Sequence, residues 1–342
     1  MGFRFWKRIK IAPGISINLS KSGASLSFGP RGAKITVGPR GQRTTIGIPG
    51  TGIYYTTTTE QPHTPRRGAA VAPPPPPESR LTLGFLQRLA TPPEERELVE
   101  GCREFVQGNE ENALEHLRRA AHLADGAYLA GVLALKKELL DEAAAYFALA
   151  AQKRGELGRW FAKYGVRPVV RIPITEELSA HVEPTYRGVL LALVEVHQRR
   201  GRWQEAIDCL RSLRRLAPED VVVKLSLAEL LLELKPEDKA TCHQVVRLSQ
   251  GVENETAVHT ALLLYKARAL RKLGLLEAAK ETLSEALRRK KDRPAELLHA
   301  LRYERALVYE ELGERSRARR ELERVYAEAP DYEDVAQRLG LR

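Results

Sequence analysis

The chain has 342 residues, 43% of them hydrophobic, which is enough for about two domains with buried cores. The formal net charge is +11, but residues 1–59 hold nine Lys or Arg and no acid, whereas the remainder holds 46 basic and 44 acidic residues. Cys102, Cys209 and Cys242 are too scattered for a disulfide framework or a metal site. Because no apolar run reaches signal-peptide or transmembrane length, we expect a cytoplasmic protein.

Residues 1–59 alternate apolar and small polar residues in five short runs. The runs cover residues 15–19, 24–28, 33–37, 44–48 and 53–57. Period-two alternation in short, regularly spaced runs predicts a small antiparallel all-β module, built as a meander. Two Gly-Pro-Arg-Gly segments, 29–32 and 38–41, provide the residues that tight turns require.

An acid-free basic module attracts nucleic acid, anionic lipid or an acidic partner. Its candidate polyanion contacts are Arg31, Lys34, Arg40 and Arg43. Arg31 and Arg40 lie in the two turns, where they either reach phosphates or only keep the turns soluble.

The aromatic residues Phe3, Phe5 and Trp6 lie among the first cations and suggest membrane contact as a further possibility. Phe3 and Phe5 also alternate as they would in a first strand that packs onto the sheet. We favour the strand.

Three segments near the N-terminus have a recognisable order: a basic aromatic stretch at 3–10, Asn-Leu-Ser-Lys-Ser-Gly at 18–23, and Pro-Gly-Thr-Gly at 49–52. In this order they resemble a bacterial family known as domain of unknown function 4236. The resemblance covers residues 1–57 and implies a bacterial origin and a module often fused to other segments. It implies no activity.

Residues 60–90 are predicted to be a linker. Five consecutive prolines, 73–77, favour a stiff polyproline II spacer. The same run can dock in an aromatic groove, but no further pattern supports that reading.

Residues 91–342 are predicted to be helical. Thr91-Pro92-Pro93-Glu94 is a helix start in which Thr91 caps the helix and Glu94 bonds back. A turn glycine and a helix-ending residue lie 17 positions apart in Gly108/Asp125, Gly201/Pro218 and Gly313/Pro330. In the second helices an Ala precedes a large apolar residue by four positions, in Ala113/Leu117, Ala143/Phe147, Ala206/Leu210, Ala279/Leu283 and Ala318/Leu322.

This pattern resembles the tetratricopeptide repeat, in which Ala-x3-Phe and a closing Pro mark the second helix. Gly101 and Gly131 fit its small position and Tyr309 its aromatic one, but the leading Trp is missing. We place about six units, at 94–123, 124–155, 187–220, 221–254, 260–293 and 299–332. The resemblance implies a mainly α, right-handed superhelical solenoid whose inner groove, lined by first helices, binds peptides or protein segments.

The groove candidates are the first-helix residues expected to face inward: Leu191, Glu195, Gln198, Arg199, Leu264, Arg268, Arg271, Lys272, Tyr303, Leu307 and Glu310. The carboxylate-clamp subtype of these repeats uses Asn and Lys on such faces. Because no Asn of the array falls there, a receptor for chaperone tails is not expected.

Residues 156–186 interrupt the repeats. Prolines and β-branched residues after Gly165 predict an extended excursion, and such excursions often carry function. Trp160, Phe161 and Tyr164, with Arg159 and Lys163, either grip a ligand or seal the end of unit two; we favour sealing.

The sequence contains no phosphate loop, no Gly-x-Ser-x-Gly, no His-Glu-x-x-His and no Cys-x-x-Cys pair. We therefore predict no enzymatic activity and no cofactor. The leading hypothesis is an interaction scaffold whose helical array binds a protein or peptide and whose β-module makes a second contact. A nucleic-acid-associated protein and a peripheral membrane tether are the alternatives.

Overall fold

The computed structural model describes residues 14–19, 26–28, 33–38, 41–47, 53–59, 90–173 and 179–341. It describes side chains at 90–168, 170 and 182–341. This part of the chain is mainly helical, as predicted. The chain divides into two compact units, which we call the first unit (residues 8–216) and the second unit (217–342).

The elements alternate between long helices and short turns. In the first unit the helices are α1 (Pro93–Val106), α2 (Glu110–Arg119), α3 (Ala124–Lys136), α4 (Leu140–Gln152), α5 (Arg159–Lys163), α6 (Tyr186–Arg199) and α7 (Trp203–Leu216). In the second unit they are α8 (Val221–Leu234), α9 (Lys239–Leu248), α10 (Ala257–Lys272), α11 (Leu276–Ala286), α12 (Ala295–Glu311), α13 (Arg315–Glu328) and α14 (Val335–Arg338).

The described strands all belong to the first unit. They are β1 (Gly14–Leu19), β2 (Leu26–Phe28), β3 (Ala33–Gly38), β4 (Gly41–Gly47), β5 (Ile53–Thr59), β6 (Val166–Pro173) and β7 (Ser179–Val182). They pair in the order β1-β6-β7-β5-β4-β3-β2, and every pair is antiparallel.

From β2 to β5 each strand pairs with its neighbour in the sequence, whereas β1 pairs with β6 and not with β2. Gly14 lies opposite Arg171 and Leu19 opposite Val166. An edge strand presents unpaired backbone N–H and C=O groups, with which another strand can pair. The eight-residue strand β6, which comes from the predicted excursion, provides such an edge for the six-residue strand β1.

The helices pair as hairpins because small residues let their axes approach. Both members of each predicted Ala-x3-large pair are buried, at 2% exposure or less. A Cβ added to Gly131 would lie 3.0 Å from Phe147 Cδ1, and one added to Gly101 would lie 2.7 Å from Leu117 Cγ. The small positions of the first helices thus receive the large side chains of the second helices.

Two predicted helix ends are wrong. Pro92, and not Thr91, stands at the N-cap of α1, and no side-chain cap bond forms there. Asp125 does not end a second helix, since α2 ends at Arg119 and Asp125 lies in the first turn of α3. Its carboxylate accepts hydrogen bonds from the backbone N–H groups of Gly158 (2.6 Å) and Phe161 (2.9 Å). Asp125 therefore caps the following short helix, α5, across space.

Helix α3 holds both ends of the excursion. At its start, Phe161 is 2% exposed and packs edge-on to Tyr128, with 6.2 Å between ring centroids. At its end, the Tyr128 hydroxyl donates to the Val182 carbonyl at 3.1 Å. Trp160 is 9% exposed, so the sealing role favoured for these aromatic residues is confirmed for Trp160 and Phe161.

The turn between α6 and α7 depends on a left-handed backbone at Gly201, where φ is +68°. A side chain in this region costs roughly 1–2 kcal/mol. We expect Gly201→Ala to lower the free energy of unfolding by about 1 kcal/mol, and Gly201→Asn by less. Urea denaturation followed by circular dichroism measures both.

The matched control is Gly155→Ala. A Cβ at Gly155 would have no neighbour within 4 Å, and its φ is not in the left-handed range. We expect no loss of stability there. Equal losses at Gly155 and Gly201 would contradict the role assigned to the left-handed turn.

Candidate functional site

The second unit contains a pocket formed by the first helices of three successive hairpins. Helix α10 packs against α8 on one side and against α12 on the other. The pocket has a volume of about 370 Å³, within the usual range of ligand sites. Its lining residues are Glu229, Leu232, Glu233 and Pro236 from α8 and its turn, Tyr265, Arg268, Arg271 and Lys272 from α10, and Tyr303, Glu304 and Leu307 from α12.

A buried carboxylate organises one wall of this pocket. Glu304 is 3% exposed and accepts hydrogen bonds from Arg268 Nε at 3.2 Å and from Arg271 Nε at 2.7 Å. Burial is the largest single influence and would lower the pKa of both arginines, but the Glu304 charge, its hydrogen bonds and other nearby groups together outweigh burial and raise the pKa of each. Both guanidinium groups therefore stay charged while they are partly withdrawn from water.

The opposite wall contains a second carboxylate, Glu229, which is 5% exposed. The Tyr265 hydroxyl donates to Glu229 Oε1 at 3.0 Å. Burial, and then the nearby Glu229 charge, raises the pKa of Tyr265 well above its ordinary value. The phenol thus remains a donor at any physiological pH.

The rim is held by further ion pairs. Arg271 Nη1 donates to Glu311 at 2.7 Å, and Lys272 pairs with Glu237. Tyr303 donates to Asp334 at 2.6 Å, and Asp334 also accepts from Arg338 Nε at 2.8 Å. The C-terminal turn around α14 therefore fixes Tyr303 from outside the pocket.

The structure brings five of the seven second-unit groove candidates together in this pocket. They are Arg268, Arg271, Lys272, Tyr303 and Leu307. Leu264 lies in the core with 0% exposure, because a helix turns about 100° per residue and its neighbour Tyr265 occupies the pocket-facing position. Glu310 pairs with Arg338 of the C-terminal turn and is not among the lining residues.

The four first-unit candidates lie on α6. Leu191 and Gln198 are buried, at 6% and 8% exposure. Arg199 pairs with Glu138 and lies 3.9 Å from Glu195. The inward face of α6 is thus used for contacts within the first unit.

Six of the eleven lining residues were missed by the sequence analysis: Glu229, Leu232, Glu233, Pro236, Tyr265 and Glu304. Of these, Glu229, Tyr265 and Glu304 make polar contacts between neighbouring hairpins. A signal was available in their spacing, since the bonded pairs Glu229/Tyr265 and Arg268/Glu304 are both 36 residues apart, close to one repeat. Paired charged and polar residues one repeat apart on first helices indicate contacts between neighbouring hairpins.

The candidate polyanion contacts are described only in part. The strand register places Lys34 opposite Thr45 and Arg43 opposite Thr36. Arg31 and Arg40 lie outside the described residues, as do Phe3, Phe5 and Trp6 and the linker over 60–89.

No group of three His, Cys, Asp or Glu side chains among the described residues could hold a metal ion. Among the helices of the described part, none combines the length and the apolar character needed to cross a membrane.

Two family models match the sequence. The model described as a protein of unknown function (DUF4236) matches residues 3–56, and the tetratricopeptide repeat model matches residues 187–230, which cover α6, α7 and most of α8. Both resemblances predicted above are therefore confirmed over these ranges. Residues 187–230 thus match a repeat whose general role is protein–protein interaction. The curated proteins contain no match.

Several solved structures share helical hairpins with this chain. Naa15/Naa10 bound to HypK-THB is 15% identical, with a TM-score of 0.49, and the match covers 74% of this chain but 35% of that one. BtubC from P. vanneervenii is 14% identical, with a TM-score of 0.42 and coverages of 71% and 94%. A thermophilic tetratricopeptide protein of Thermus thermophilus is 16% identical, with a TM-score of 0.36 and coverages of 64% and 97%. With TM-scores below 0.5, nothing of their binding is transferred to this chain.

Because Glu304 neutralises two arginines, its charge is important for the stability of the second unit. We expect Glu304→Gln to lower the free energy of unfolding by roughly 1–3 kcal/mol, since Arg268 would lose its carboxylate partner and Arg271 would keep only Glu311. Urea denaturation of the full chain measures the loss.

Glu323→Gln is the matched control. Glu323 pairs with Arg319 at 2.9 Å on the surface of α13, where both side chains are more than half exposed. Exposed pairs contribute little, so the denaturation midpoint is expected to stay unchanged. A midpoint shift as large as that of Glu304→Gln would contradict the assigned role of burial.

Proposed function

We propose that this protein is an interaction scaffold whose second unit binds an extended segment of a partner protein in the pocket between α8, α10 and α12. The observation that carries the proposal is that three successive first helices present apolar and charged side chains to one cavity. A repeat array that binds a segment must offer such a continuous surface across neighbouring hairpins.

The composition of the pocket supports a polypeptide ligand. Leu232, Pro236 and Leu307 offer apolar contact, Tyr303 adds an aromatic surface, and Arg268 adds a charge. Binding sites commonly combine apolar walls with a few oriented polar groups. The charged residues are already held by Glu304, so a ligand would find them ordered before it binds.

The proposed scaffold has a second contact at residues 1–59, the basic module, which is joined to the helices by the 60–90 linker. Pairing of β1 with β6 and of β5 with β7 supports a position for this module against the excursion at 156–186.

The test is affinity capture with the full chain as bait. A partner protein captured from a bacterial lysate by the wild type would be identified and its affinity measured. We expect Leu307→Ala to weaken that affinity about tenfold, because the substitution removes about 2 kcal/mol of apolar contact at most.

Leu275→Ala is the control, because Leu275 is 50% exposed in the α10–α11 turn and does not line the pocket. It is expected to bind the partner as tightly as the wild type. A partner bound equally well by both variants would place the contact elsewhere.

Charge segregation favours a second candidate function, binding of nucleic acid through residues 1–59. Each phosphate neutralised contributes about −0.9 to the slope of log affinity against log salt. Duplex DNA affinity is measured by fluorescence anisotropy between about 50 and 200 mM salt. The slope of log affinity against log salt concentration should become shallower when the four candidate cations are changed to Gln. These are Arg31, Lys34, Arg40 and Arg43.

A control variant changes four exposed cations of the helical part to Gln: Arg288, Lys290, Lys291 and Arg315. Under this hypothesis its slope stays that of the wild type. Equal losses in both variants, or no DNA binding at the lowest salt concentration, would exclude the basic module as a specific phosphate contact.

A further inference from the structure

We propose that Arg268 in the second-unit pocket binds the side-chain carboxylate of one Asp or Glu within the partner segment, flanked on both sides by apolar residues. This inference rests on the proposed function and specifies the chemistry of the segment that the pocket accepts.

Arg268 is oriented by contacts within the second unit, but part of its guanidinium group makes no hydrogen bond to the described residues. Its Nε donates to Glu304 at 3.2 Å, and its guanidinium carbon lies 5.1 Å from the centre of the Tyr265 ring. Its side chain is 23% exposed. Within the described part of the chain, its two Nη groups make no hydrogen bond. They form the fork that binds a carboxylate with two parallel hydrogen bonds.

The other pocket cations are more fully engaged. Arg271 donates from Nε to Glu304 and from Nη1 to Glu311, both at 2.7 Å. Lys272 pairs with Glu237 at the rim. The two Nη groups of Arg268 therefore offer an incoming carboxylate more unused hydrogen-bond donors than the other pocket cations do.

The position of Arg268 favours a side chain over a chain end. Helix α10 is the central one of the three lining helices, and apolar residues stand on both sides of it, Leu232 on α8 and Leu307 on α12. A segment that crosses the pocket can place its acid on Arg268 and an apolar residue on each of these leucines. A terminal carboxylate at the same place would leave one of them uncovered.

The remaining charges of the pocket restrict the ligand to a single acid. Glu229 and Glu233 line the α8 side, and Glu304 lies beneath Arg268. A second acid in the segment would meet these carboxylates, and like charges at close range oppose binding. The pocket should therefore prefer one acid among apolar residues to a polyacidic run.

The test begins with a phage-displayed library of random twelve-residue peptides, selected on the full chain. We expect enriched peptides to share one Asp or Glu with apolar neighbours on both sides. The best peptide is then synthesised in three forms, with a free C-terminus, with an amidated C-terminus, and with the acid changed to its amide. Calorimetry against wild type, Arg268→Gln and Arg268→Lys completes a double-mutant cycle.

In the wild type, changing the acid to its amide should weaken binding about 10- to 100-fold, the usual value of a charge-assisted hydrogen bond. On Arg268→Gln, the peptide with the acid and the peptide with the amide should bind with equal affinity. On Arg268→Lys, the loss of affinity caused by the amide should lie between the losses on the wild type and on Arg268→Gln. Since the cycle compares two peptides on one variant, a general loss of stability in that variant does not affect it. Lys266→Gln, which removes a neighbouring cation outside the pocket, should behave as the wild type.

The outcomes separate this inference from the proposed function. Suppose that Leu307→Ala weakens peptide binding, but changing the acid of the peptide to its amide lowers the affinity equally on the wild type and on Arg268→Gln. The pocket then binds segments, and the role proposed for Arg268 is wrong. Loss of binding on amidation would assign Arg268 to a chain terminus and overturn the side-chain proposal. If no peptide is enriched, or Leu307→Ala binds as well as the wild type, the proposed function fails together with this inference.

Discussion

Close approach of the two helices in each hairpin is the constraint on which the described helical part depends. In the first unit, the missing side chain of Gly131 lets Phe147 lie close against the α3 backbone, where a Cβ would be in steric contact with its ring. Gly101 makes the same room for Leu117 on α1. In the second helices an Ala occupies the equivalent narrow place, four residues before the large side chain. Since interiors are close-packed, these small-to-large contacts define which helix faces meet.

Each first helix packs one face within its hairpin and further surface against neighbouring hairpins. The face that remains is available to line a pocket. In the second unit, α8, α10 and α12 turn those faces toward one pocket. Charges withdrawn from water there need partners, and Glu304 supplies one for both Arg268 and Arg271. The same pairing that stabilises neighbouring hairpins thus engages Arg268 through Nε and leaves its two Nη groups for the proposed ligand contact.

The excursion shows a different use of the same scaffold. Helix α4 packs directly against α6, so the segment between them leaves the stack without interrupting it. Its two ends are tied to α3, through Asp125 at the start and Tyr128 at the end. Between these anchors, β6 and β7 pair with strands from the N-terminal region.

The sequence by itself determined the helical class, the turn glycines and the small-to-large pairs, because these follow from short-range spacing along one hairpin. It also identified four of the eight charged and aromatic residues of the second-unit pocket, namely Arg268, Arg271, Lys272 and Tyr303. It placed Leu264 in the pocket instead of Tyr265, since the facing direction of a helix depends on its neighbours as well as on its own period. Only the tertiary structure decided the partners of Glu304, the capping of α5 by Asp125 and the pairing of β1 with β6. These contacts join residues far apart in the chain, and their geometry is set by how separate elements pack.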